Sequence, residues 1–358
     1  MKQPWIGKPI NDILFILLPP FASLLFIFLF PSLFQNNTEL GNAGWLILIL
    51  LVDVAHVYST LYRTYFDPQS FKNNRSLLVT IPFIGFVAGV LIYSMSSEWF
   101  WRILAYTAVF HFVRQQYGFL RVYSRSENHN KVFKWIDELT IYSATIYPLL
   151  YWHLEGPKNF HWFVDNDFMY LKSPSFLPIV TAIYLVIIVS YFLKEAYLLV
   201  KTKTINLPKT GIVTGTLLSW YFGIIYFNGD LAFTLLNVVS HGVPYMGLIW
   251  IYGKKHYSTT GSPFLKKVFS RYGILLFLAI IFLLAFIEEG LWDFSVWKEH
   301  GKVFGTGTWS FPEFPNTALS FIVPLLALPQ ITHYILDGFI WKIRQGDFKW
   351  KKETVSVH

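Results

Sequence analysis

The sequence predicts an all-α protein, a polytopic integral membrane bundle of about ten transmembrane helices in one domain over residues 1–358. Three observations lead there. Hydrophobic residues make up 54% of the 358 and charged residues only 14%, against roughly a quarter charged in a soluble domain. Apolar runs of about 20 residues, long enough to cross a bilayer as a helix, recur from end to end. Basic residues between the runs fall very unequally on the two sides, the pattern of the positive-inside rule.

The first run, 11–34, holds Pro19 and Pro20 with no small-residue cleavage site after it, so it reads as a span and not a cleaved signal. The second, 42–62, ends at Arg63 and carries Asp53 and His56. The third is 77–97. The fourth, 99–122, contains His111, Arg114 and Gln115. The fifth, 134–153, opens with Asp137 and Glu138 and contains Pro148. The sixth, 176–199, carries Lys194 and Glu195 near its inner end, which read as an interfacial pair. The seventh is 209–228. The eighth, 230–252, holds Asn237, His241 and Pro244. The ninth, 269–291, ends in Glu288 and Glu289, read as an outer boundary marker. The tenth, 316–340, holds Pro324, Pro329, His333 and Asp337.

Arg63, Arg121, Lys254 and Lys342, with most other basic residues, share the side of the amino terminus. Lys158, Lys172, Lys298 and Lys302 lie opposite. The expectation is a multi-pass protein of the cell inner membrane with both termini cytoplasmic. The net charge of +8 is then topological, and no nucleic-acid partner is implied. The absence of cysteine excludes thiolate metal sites, iron–sulfur clusters, disulfides and thiol nucleophiles. Two long outer loops mix Trp and Phe with acids, as an interfacial aromatic belt does.

Four of the runs hold a histidine with a polar residue one helical turn away: Asp53 and His56, His111 and Gln115, Asn237 and His241, His333 and Asp337. Spacings of three or four put both members of a pair on one helix face. All four helices run outside to inside, so depths compare directly. Counting to the next inner basic residue places the imidazoles roughly 10–20 Å from the cytoplasmic ends, in one layer. Polar groups at that depth are expensive and point to function. A lone intramembrane histidine is often only a helix–helix hydrogen bond. Four at one depth, each with a partner, favour a shared metal site.

Neutral imidazole ligates iron, zinc and copper, and its second nitrogen usually donates to a carboxylate, amide or carbonyl. His56, His111, His241 and His333 are therefore the expected ligands. Asp53, Gln115 and Asp337 are their expected partners, the two aspartates equally suited to ligate. Asp137 or Glu138 would supply a further carboxylate. Arg114 is placed to hold a polar head group or carboxylate at the inner end. The clustered histidine boxes of membrane desaturases and hydroxylases are absent. Single histidines on separate helices are an arrangement similar to that of bacterial membrane carotenoid-cleaving oxygenases, with no motif in common. The leading reading is a membrane metalloenzyme with non-haem iron. It would oxidise a lipid or isoprenoid-like substrate from the bilayer with dioxygen and a cytoplasmic electron donor. The alternatives are a haem-binding electron-transfer protein and a proton-coupled transporter.

Overall fold

The computed structural model describes residues 3–36, 40–306 and 313–341. Helices form at all ten expected positions, and the described residues include no strand. They are α1 (Pro9–Leu29), α2 (Gly41–Arg63), α3 (Arg75–Met95), α4 (Ser97–Tyr123), α5 (Lys131–Glu155), α6 (Leu177–Thr202), α7 (Leu207–Trp220), α8 (Asp230–Thr260), α9 (Ile274–Trp292) and α10 (Asn316–Ile340). Seven of them, α1, α2, α3, α6, α8, α9 and α10, are long and apolar enough to cross a membrane. Of the other three, α4 carries Arg102 and Arg114 among its charges, α5 carries Asp137 and Glu138, and α7, of 14 residues, carries Lys209.

Local chemistry sets the boundaries. The first expected span stops at Leu29, not 34, because Phe30 leaves helical geometry (φ −127°, ψ 53°) before Pro31 opens a short helix, Pro31–Asn36. A residue before proline is pushed out of the α region. Asn130 caps α5 by accepting from the Phe133 N–H at 2.9 Å, and Asn206 caps α7 by accepting from Lys209 at 3.2 Å. Among the described residues four helices carry π-type segments; two bear on the site, Trp45–Val54 within α2 and Tyr221–Tyr226 continuing α7. Such insertions often mark functional sites. The first ends two residues before His56. The second contains Gly223, whose hydrogen leaves room for the Asn237 amide; a Cβ there would collide with it.

The chain divides into two compact units. The first comprises Met1–Glu39, Val109–Pro244 and Trp341–His358, within the described residues. Its core joins Leu24, Ile27 and Phe34 to Ala232 and Leu236. Helices α1 and α7 approach closely at Gly215, where a Cβ would lie 2.7 Å from the Pro20 ring. The loop after α5 departs from the expected interfacial belt. Its Phe160 and Phe168 are buried, Phe160 stacks on Phe233 at 4.4 Å and Trp162 meets Phe112 edge-on at 5.0 Å. Asp167 holds the turn by accepting from the backbone N–H of Trp162 and Phe163 at 2.9 and 2.7 Å.

Lys194 and Glu195 are not an interfacial pair either. They belong to a buried network in which Lys194 pairs with Asp137 and, at 2.7 Å, with Glu195. Lys209, fully buried, meets Glu195 at 2.7 Å, Glu127 at 3.0 Å and Asp137 at 3.7 Å. Charges buried this deeply persist only when paired.

The second unit comprises Leu40–Ala108 and Tyr245–Ile340. Helix α3 packs on α10 through Gly89, where a Cβ would lie 2.9 Å from Pro324. An aromatic cluster locks the end of α2: Tyr62 stacks on Phe277 at 4.7 Å and donates to its carbonyl at 3.1 Å. Glu288 and Glu289 are buried rather than marking a boundary, and the Trp292 indole donates to Glu288 at 3.4 Å. Outward faces are apolar in both units, with Phe83 of α3 68% exposed and Val186 of α6 66% exposed. Continuous apolar surface of this kind is a lipid-facing feature.

Candidate metal centre

Each unit holds one pair of buried histidines. In the second unit His56 of α2 and His333 of α10 meet edge to face, ring centres 5.0 Å apart. His56 Nδ1–H donates to the Val52 carbonyl at 3.3 Å. A carbonyl only accepts, so the proton sits on Nδ1 and the lone pair on Nε2. His333 reaches the same state through a chain of hydroxyls. Its Nδ1 lies 2.6 Å from Thr60 Oγ1, Thr60 Oγ1 lies 2.9 Å from the Tyr245 hydroxyl, and Tyr245 donates to Asp337 at 2.5 Å. With Asp337 ionised and only accepting, each hydroxyl donates toward it, and Thr60 accepts from His333 Nδ1–H. Nε2 of His333 is left as the basic nitrogen. The direct carboxylate approaches are longer, 3.7 Å from Asp53 to His56 and 4.0 Å from Asp337 to His333.

In the first unit His111 of α4 and His241 of α8 also meet edge to face, ring centres 4.9 Å apart. His241 lies flat on Phe112 at 3.5 Å and 11°. Two glutamines of α4 fix the backbone that carries it. Pro244 has no N–H, so the Ser240 carbonyl loses its helical donor. Gln116 Nε2 donates to that carbonyl at 3.5 Å, and Thr216 donates to Gln116 Oε1 at 3.0 Å. Gln115 Nε2 donates to the His241 carbonyl at 3.0 Å. The kink that proline forces is thereby satisfied and held.

Taken together, the four histidines are buried and close. Each offers one ring nitrogen, and those four atoms all lie within 4.8 Å of one another. Metal–nitrogen bonds of about 2.0–2.1 Å place the nitrogens of a tetrahedral set about 3.3–3.4 Å apart, so the widest pair would close by about 1.4 Å around one ion. Four neutral nitrogens suit a divalent first-row transition metal. Comparison with family models, curated proteins and solved structures gives no match for this chain.

The remaining expected residues fall differently. Gln115 was expected beside the His111 ring; the structure gives its amide to His241, because α4 faces α8 there. Asn237 donates to Phe233 one turn back. Arg114 lies on the exposed face of α4, donates to the Tyr142 hydroxyl at 2.8 Å and sits over the Tyr117 ring. Glu138 pairs with Arg121 at 3.1 Å, and Asp137 belongs to the lysine network. Sequence reasoning missed Thr60 and Gln116. Thr60 stands one turn after His56, and Pro244 announces a carbonyl in need of a donor; both signals lie in the sequence.

The hydroxyl chain carries a prediction. Thr60→Val removes the acceptor for His333 Nδ1–H at nearly constant volume, and Asp337→Asn weakens the end of the chain. Each is expected to lower metal affinity about 10–100-fold with the fold intact, read by competition with a chelator of known affinity. Thr60→Ser should restore it. Wild-type affinity in Thr60→Val would remove the chain from the account, and complete metal loss in Asp337→Asn would make Asp337 a ligand.

Proposed function

We propose that this protein is a multi-pass enzyme of the cell inner membrane, with ten spans and cytoplasmic termini. It would use histidine-bound non-haem iron to oxidise a lipophilic substrate with dioxygen. The observation that carries the reading is the group of four buried imidazole nitrogens within 4.8 Å of one another. His56, His111, His241 and His333 are the ligands. Asp337 acts on His333 through Tyr245 and Thr60, Asp53 stands beside His56, and Gln115 with Gln116 holds the backbone of His241. Arg114 remains the group proposed to meet a polar head at the inner end. The substrate, a lipid or isoprenoid-like molecule, comes from the bilayer, and electrons beyond those it yields come from a cytoplasmic donor.

Iron is favoured over zinc because the surroundings are hydrocarbon, where redox chemistry has a substrate and hydrolysis has little water. Haem fits less well. Within each pair the rings touch edge to face, without the flat slot that a macrocycle between two axial ligands needs. The test is the absorption spectrum and metal content of purified protein, with oxygen uptake followed on adding an isoprenoid alcohol in detergent. Iron without a Soret band, and uptake that depends on both iron and the alcohol, is expected. A Soret band would replace this reading with haem electron transfer. Protein that takes up no metal would leave the transport reading.

A further inference from the structure

The second unit contains a cavity of about 270 Å³ whose inner end is Thr60 and His333. Its walls are Val57 and Leu61 of α2, Pro82 of α3, and Leu328 and Leu336 of α10. Its rim includes Leu325, which is 56% exposed. Prolines account for the space. Pro82 lies inside α3, and α10 is interrupted at Ala327 between Pro324 and Pro329. Pro82 and Pro324 each remove a helical hydrogen bond, and Pro329 stands in the first turn of the segment after the break.

Of the five polar residues on the wall, four are already engaged, Tyr58 by a side-chain hydrogen bond with Glu288. Tyr65 donates to the Leu78 carbonyl at 2.8 Å, and Thr60 and His333 belong to the hydroxyl chain. Among the described residues, no lysine, arginine, aspartate or glutamate lines the cavity. A space lined mostly by hydrocarbon favours an apolar occupant over water. Beside it, the outward face of α3 presents Phe83, Val79 and Leu91, all more than half exposed, so the rim opens onto apolar surface. The size is near the lower end of small-molecule pockets.

We propose that this cavity is the substrate pocket of the unit, and that it takes the hydrocarbon chain of an uncharged, bilayer-dissolved molecule, entering sideways past Leu325 and ending against His333. The assignment rests on the metal-enzyme reading for its purpose, but not for its physics. An uncharged molecule is favoured over a phospholipid because, among the described residues, no basic side chain lines the cavity to hold a phosphate. The chain would stop beside Thr60, with its terminal carbons next to the edge of the His333 ring.

The experiment uses the full protein in nanodiscs with two photoactivatable diazirine probes, a farnesol analogue and a phosphatidylcholine carrying the group on its acyl chain. Labelled sites are mapped by mass spectrometry. Leu328→Trp and Leu61→Trp, from different helices, fill the cavity; size-exclusion profile and metal content are recorded for each. The farnesol probe is expected to label the walls in α2 and α10, with labelling lost in both variants while metal stays bound. Labelling by farnesol that survives both substitutions overturns the pocket, as does equal wall labelling by the phospholipid, which would make the space a lipid site. If one variant fails to fold, the other decides, and labelling of wild type elsewhere than the walls overturns the proposal without either. Loss of metal from wild type would sink the metal reading alone, since wall labelling does not depend on metal.

Discussion

His56→Ala, His111→Ala, His241→Ala and His333→Ala each purify with their metal largely gone, whereas His153→Ala keeps it. The reason is the geometry of the group. Four nitrogens make up the proposed set, so deleting one leaves three ligands. Loss of a ligand should exceed the about 10–100-fold expected from losing an outer partner. The exposures of the four are 1%, 3%, 0% and 1% in chain order, so no solvent exchange softens the loss. His153 is the control because its Nδ1–H already donates to the Leu149 carbonyl one turn back and it lies outside the group. Metal analysis after size-exclusion chromatography reads the result. Full metal in all four variants would dissolve the shared centre, and loss in His153→Ala would show nonspecific instability.

Lys209→Ala lowers the stability of the protein by about 3–5 kcal/mol, the range for removing one partner from a buried ion pair. Lys209 has no exposed side-chain surface and meets three carboxylates, those of Glu195, Glu127 and Asp137. Without it, Lys194 still meets Asp137 and Glu195, but among the described residues Glu127 keeps only His129, at 3.4 Å, and Asn206. Asn206, whose amide donates to Glu127 at 2.7 Å, cannot supply the missing charge. Adding Glu195→Gln to Lys209→Ala should recover part of the loss, since one uncompensated carboxylate is removed. Thermal unfolding in detergent, converted through a denaturant series, measures both. A Lys209→Ala protein within about 0.5 kcal/mol of wild type would place it with ordinary surface substitutions and contradict the buried network. Metal content is expected to fall only as far as the fold does, which separates this effect from the histidine variants.

Apolar runs located helices at all ten expected positions, and seven of these are long and apolar enough to cross a membrane, where a span must satisfy its own backbone and so must be helical. Depth counting also identified the four histidines, since distance along a helix follows from residue number. What the sequence hid was which helix faces which. Helical spacing put Gln115 on the face of His111, and it is near that face, yet its amide serves α8. The same blindness made Lys194 and Glu195 look like an interfacial pair: their partner Lys209 stands on another helix, 14 residues beyond Glu195. Glu288 and Glu289 looked like a boundary because carboxylates at a span's end usually are one, and only the packing around Trp292 shows them buried. Thr60 escaped notice because a threonine in an apolar helix most often bonds its own backbone, as Thr64 does to the Thr60 carbonyl at 2.8 Å.

The central claim is that the four histidines hold one metal ion through nitrogen. X-ray absorption at the metal edge of wild-type protein, purified without added metal and quantified by elemental analysis, tests it most directly. The account predicts about one iron per chain, with a single shell of light scatterers at about 2.0–2.2 Å and the multiple-scattering signature of imidazole. Protein that stays empty after incubation with Fe²⁺, Zn²⁺, Cu²⁺ and Mn²⁺, or a bound metal without imidazole scattering, would contradict it.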